Sequence, residues 1–157
     1  MKITNKILCL ILCTTSLFGY PFNDNGDGSV TDTFTNLIWQ KCSRGQNNDS
    51  TCSGTATGAT WKNALLYCKN LNLNSRAWRL PNINELSSLI NPAIYSNDIP
   101  HIDSVNFPST IRNIYWSSTT DLRSGGIVSA LRINFDDGKN DSLNKHYGAY
   151  VRCVSGP

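Results

Sequence analysis

The 157 residues contain a single glutamate, Glu85, and only two histidines, His101 and His146, far apart in sequence. A glycosidase needs two carboxylates facing one bond. Asp136, Asp137 and Asp141 do cluster, but around a turn, where aspartates ordinarily serve backbone hydrogen bonds, so no acid and nucleophile pair stands out. Ser117 and Ser118 follow Trp116 in a β-rich stretch and lack the Gly-x-Ser-x-Gly elbow that exposes a nucleophile. No Cys-x-x-Cys pair is present, which disfavours zinc, and a lone histidine in a polar loop is usually solvated. Phosphate-binding loops, internal repeats and Gly-X-Y runs are missing too. These absences argue against the common hydrolases, nucleotide enzymes, solenoids and collagen-like stalks.

What is present begins with a compartment signal. Lys2 and Lys6 precede an apolar run from Ile7 to Phe18 that is too short to span a bilayer and reads as a secretory leader over residues 1–19. Cleavage after Ser16 would satisfy the same rule, and neither Cys9 nor Cys13 follows the small residue that a lipoprotein signal needs. Loss of the leader removes two of the 14 basic residues, leaving 12 against 11 acidic. The mature charge of +1 offers no basic stripe for nucleic acid or membrane. The expected location is secreted or in the cell envelope.

Residues 20–157 read as one domain with one core. Cys42, Cys52, Cys68 and Cys153 remain after processing, an even number in an exported chain, which implies two disulfides. Four cysteines allow three connectivities. Pairing Cys42 with Cys52 closes a short polar loop and leaves Cys68 with Cys153 to join a helix to the final strand, and that is the expected arrangement.

The chain is organised around Thr60–Asn91. Trp61, Ala64, Leu65, Cys68 and Leu71 recur at helical spacing behind an N-cap Thr60. Asn82 with Glu85 three residues on begins a second helix striped by Ile83, Leu86, Leu89 and Ile90 and stopped by Asn91-Pro92. Arg79 is placed to pair with Glu85 at that helix start, a structural role. Before these helices, Asn23, Asn25, Asp27, Gly28 and Val30 fit five positions of a calcium loop, yet Phe34 stands where the bidentate carboxylate belongs. A hairpin of Val30–Thr31 and Leu37–Gln40 is the plainer reading, and no metal is expected. Ser43–Ala59 is a polar surface loop, and Pro92–Thr110 reads as an irregular surface excursion. Ile114–Thr120 and Ile127–Phe135 read as strands, Asp136–Lys139 as a hairpin turn and Ala149–Val154 as a last strand. Trp39, Trp61, Trp78 and Trp116 each sit in apolar pattern, as core residues do. The fold class is α+β: two helices on a short-stranded antiparallel sheet, stapled by disulfides.

In order, the chain carries NDNGDGSVTD, NLIWQKC, TW--AL-YC--L, WRLPN--EL--LI, FP, YWSST, a strand ending F-DG, and VRCV. This set, spanning about Phe22 to Val154, resembles the Lcl C-terminal domain family, named after the terminal domain of the Legionella collagen-like protein. The RLP–helix block and the closing RCV strand also resemble C-type-lectin-like and formylglycine-generating-enzyme folds, implying a compact α+β domain with paired termini. The lectins' calcium loop and Trp-Asn-Asp strand are absent, replaced by Asn91-Pro92-Ala93 and Tyr115-Trp116-Ser117. A reactive cysteine pair like that of formylglycine-generating enzymes is absent as well, because the disulfides account for every mature cysteine.

The namesake domain is an adhesin module that binds sulfated glycosaminoglycans, so the resemblance implies a non-catalytic binding module, with sulfated glycan or another extracellular ligand as partner. The competing classes are a structural envelope protein and an enzyme on the same fold. For a sulfated ligand the candidate contacts are Arg112, Arg123, Arg132, Lys139 and Lys145, all in the C-terminal sheet and its loops. No cofactor is implied. Without a Gly-X-Y stalk, avidity from stalk-driven trimerisation is lost as well.

Overall fold

The computed structural model describes residues 21–94, 100–123 and 128–156; the expected leader lies outside them. A first sheet, in the order β1-β2-β3-β7, contains β1 (Phe22–Asp24), β2 (Ser29–Asp32), β3 (Ile38–Gln40) and β7 (Val154–Ser155). A second, in the order β4-β5-β6, contains β4 (Ile114–Asp121), β5 (Ser129–Asn134) and β6 (Lys139–Asn144). Every strand pair is antiparallel. Between the sheets in sequence run α1 (Trp61–Lys69) and α2 (Ile83–Ser87). The class is α+β as expected, but with two sheets where the sequence suggested one.

The N-terminal hairpin forms where its turn chemistry dictates. Val30 faces Trp39 and Thr31 faces Ile38, and the Asp32 carboxylate accepts the backbone N–H groups of Phe34 and Thr35 in the turn between them. The preceding turn adds β1, a strand that the expected hairpin does not include. Asp24 Oδ1 accepts from the Gly26 N–H and Asp27 Oδ1 from the Ser29 N–H, so two short Asx turns close the strand pair.

Alternation along three strands divides the core. Trp39, Tyr115 and Val154 enter one apolar cluster with Leu86, Leu89, Phe107, Ile133 and Phe135. Their chain neighbours Ile38, Trp116 and Cys153 pack with Ala64, Cys68, Trp78, Leu80 and Val151 in another. Successive side chains on a strand point to opposite faces, so α1 and the α2 turn cover opposite faces of β4.

Both disulfides form as expected, Cys42 with Cys52 across 10 residues and Cys68 with Cys153 across 85. Asn82 and Glu85 complete a reciprocal capping box, but α2 stops at Ser87, and Leu89 and Ile90 reach the core from a turn. Two other expectations are corrected. Ala149–Val154 is not one strand: isolated bridges tie Ala149 to Ala59 and Tyr150 to Tyr115, and only the end of the segment, as β7, pairs with β3. The segment from Pro100 to Thr110 is not merely superficial, since Ile102 and Phe107 are fully buried and Phe107 meets the Phe22 ring edge-on at 5.1 Å.

Candidate functional site

Four of the five expected cations each face a carboxylate. Arg112 Nε lies 2.9 Å from Asp136 Oδ1, and Arg123 Nε the same distance from Asp121 Oδ1. Arg132 reaches Asp141 at 3.3 Å and Lys139 reaches Asp137 at 3.4 Å. Arg123, by hydrogen bonding and charge, holds the Asp121 carboxyl down to about 2, so that pair is ionised throughout the physiological range. Cross-strand register does bring Arg132 and Lys139 onto one face of β5 and β6, where they line a shallow cavity of about 190 Å³. Asp137 and Asp141 stand in the same wall, so the face alternates in sign.

Lys145 is placed differently. Where β6 ends, its N–H donates to the Val128 carbonyl while its own carbonyl accepts from the Trp61 N–H, which ties the start of α1 to the end of the second sheet. The Ala59–Ala149 bridge holds the same two segments together one turn away. Trp61 is fixed by its indole N–H, which donates to the Ser117 carbonyl at 2.8 Å. The Lys145 ammonium then sits 4.0 Å from the centre of the Trp61 ring and donates to Thr120 Oγ1 at 2.9 Å.

This junction opens a cavity of about 370 Å³ lined by Thr60, Trp61, Lys62, Val128, Lys145 and His146. Its described walls hold two ammonium groups and an imidazole but no carboxylate. The first turn of α1, which forms one side, contains no acidic residue, and Thr60 makes no side-chain cap bond. Among the described residues Lys62 is exposed and has no ion-pair partner. The volume is that of a small-ligand pocket, and Trp61, Val128 and the lysine stems make the lining largely apolar.

The sequence alone points to a solvated His146 and a core Trp61 and gives Lys62 no role. Trp39, Trp78 and Trp116 are indeed buried, whereas Trp61 is only partly so. A tryptophan that opens a helix without an acidic first turn was the available signal. Its meeting with Lys145 across more than eighty residues had none.

The Lcl C-terminal domain family model matches residues 28–155. The chain belongs to that family. No curated protein and no solved structure matches it. The match takes in both sheets except β1, both helices and both disulfides, so the Trp61 cavity is part of the family domain. The disulfides suit an oxidising extracellular or envelope compartment, and no helix among the described residues is long and apolar enough to cross a membrane.

Three further features of this Lcl C-terminal domain bear on chemistry. Asn25, Asp27, Ser29 and Thr31 in the calcium-like turn bond mainly to one another, and the Lys41 ammonium lies 2.6 Å from Asp24 beside them. Among the described residues, no group of three His, Cys, Asp or Glu side chains is placed to hold a metal. Ser117 is buried and its hydroxyl donates to the Leu131 carbonyl, a strand contact.

Proposed function

We propose that this Lcl C-terminal domain is an exported, non-catalytic binding module whose ligand is an anionic glycan, with sulfated glycosaminoglycan as the leading class. The observation that carries the reading is the pairing of Lys62 and Lys145 at one cavity whose described walls hold no carboxylate, while Arg112, Arg123, Arg132 and Lys139 each face an aspartate. Anion binding at those four sites would compete with an internal ion pair, whereas Lys62, exposed and without an ion-pair partner among the described residues, meets the ligand at a cavity that Lys145 also lines. Family membership supports the same class, because the namesake domain is an adhesin module. A C-type-lectin-like arrangement is part of this reading. It draws support from the short strands in two sheets and from β7 closing beside β3.

The test is a glycan array probed with the oxidised domain, followed by affinity measurements on any hit at several salt concentrations. Sulfated glycans should dominate the hits, with affinity falling as salt rises. Turnover of a substrate, or a lack of any glycan hit, would overturn the proposal.

A further inference from the structure

We infer that the Trp61 cavity is the ligand site itself, and that it takes a short acidic saccharide segment by two contacts at once: its anion on Lys62 and Lys145, and an apolar ring face on Trp61 and Val128. This rests on the anionic-glycan reading above and narrows it to a place and a mode.

Three observations point to the mode. First, the space is small. A half-open cavity of about 370 Å³ has room for roughly one or two sugar rings, too little to hold an extended polyanion. Second, the cation is preorganised. Thr120 and the Trp61 ring hold the Lys145 ammonium before any ligand arrives, and Trp61 is itself locked by Ser117, so little side-chain freedom is lost on binding. Third, the lining is mixed. A purely electrostatic polyanion site has little use for an exposed Val128 and a partly buried indole beside its lysines, whereas a sugar ring with a C–H face and an acidic substituent uses both. His146 closes the rim with a further hydrogen-bonding group.

The mode has measurable consequences that separate it from binding spread over the surface. Affinity per site should level off at a disaccharide or tetrasaccharide instead of climbing with chain length. With two ammonium groups engaged, the slope of log affinity against log salt should be roughly one to two, far below the slope of a many-contact polyanion complex.

The experiment titrates heparin-derived disaccharide, octasaccharide and full-length heparin against the oxidised domain and four variants, each first shown to retain its melting temperature. Lys62→Ala and Lys145→Met should each weaken disaccharide binding by roughly ten-fold or more, the cost of one charged contact. Lys139→Ala and Arg112→Ala should leave it within two-fold. Equal losses from Lys139→Ala, or affinity that keeps rising with chain length, would refute the cavity and leave the glycan reading standing. Failure of every heparin length to bind, along with every other acidic glycan, would remove both.

Discussion

Arg79 and Glu85 form a two-pronged ion pair, with Nη1 to Oε2 and Nη2 to Oε1 both at 2.7 Å. The same carboxylate accepts the Asn82 N–H and the Asn82 side chain accepts the Glu85 N–H, so the only glutamate in the chain ties the RLP segment to the start of α2. Burial alone would raise the Glu85 carboxyl, but the Arg79 and Asn82 hydrogen bonds outweigh it and the net shift is downward. A lowered carboxylate gives stability that is complete above its unfolded value, near 4.5, and is lost as pH falls through the lower folded value. Glu85→Gln should therefore cost on the order of 1–2 kcal/mol in urea unfolding at pH 7 and less at a pH low enough to protonate Glu85 in the folded state. An equal loss at both pH values would show that shape, not charge, is what Glu85 supplies.

That helix start was legible in the sequence because all its parts lie within Arg79–Glu85. So were the Val30–Trp39 hairpin and the α1 stripe, where local turn chemistry and periodicity agree with the fold. Less was legible where distant segments meet. The division of the core into two clusters depends on β4 being covered on both faces, a property of topology and not of any single stretch. Phe107 was missed because an irregular segment has no period to betray its buried face. For the candidate site, Lys145 was named from sequence, while its companions Trp61 and Lys62 lie in another part of the chain and were read as part of an ordinary amphipathic helix.

The two disulfides should differ in weight. In the loop-entropy model an 85-residue closure contributes about 4–5 kcal/mol and a 10-residue closure about 2–3 kcal/mol. All four cysteines are buried, but only Cys68 and Cys153 belong to an apolar cluster, where they pack with Ala64, Trp78 and Val151, so Cys68→Ala with Cys153→Ala should largely abolish folding at 37 °C. The Cys42→Ala and Cys52→Ala pair should lower the melting temperature yet leave a cooperative transition. Circular dichroism melts of the two double variants check the order, and a larger effect from the short bridge would contradict it.

Calcium should not be needed for the fold. The calcium-like segment that starts at Asn23 has Phe34 and no carboxylate at its twelfth position, and the side-chain oxygens of Asn25 and Asp27 already accept hydrogen bonds from Thr31 and Ser29. A melting curve in EGTA should overlay one in millimolar calcium. A drop of many degrees on chelation would show that an ion binds the native state.

The last prediction concerns the arginine of the closing VRCV block. Arg152 is fully buried and, among the described residues, has no carboxylate partner. Its guanidinium donates to the Gln40 and Lys41 carbonyls, to Thr110 Oγ1 at 2.8 Å and to Ser43 Oγ at 3.3 Å, and lies 4.8 Å from the centre of the Phe107 ring. Desolvation pushes its pKa down, opposed by the neighbouring Tyr115 hydroxyl, so the cation is held by dipoles and a ring face alone. One side chain thus joins the end of β3, the segment after Phe107 and the C-terminal segment. Arg152→Met keeps much of the length and apolar contact but strands several buried acceptors, and should cost on the order of 3 kcal/mol. Arg152→Lys keeps the charge but cannot span the fork of partners, and should lose nearly as much. Chemical denaturation of both variants tests this. If Arg152→Lys were as stable as the parent, charge and not the planar fork would be what the site requires.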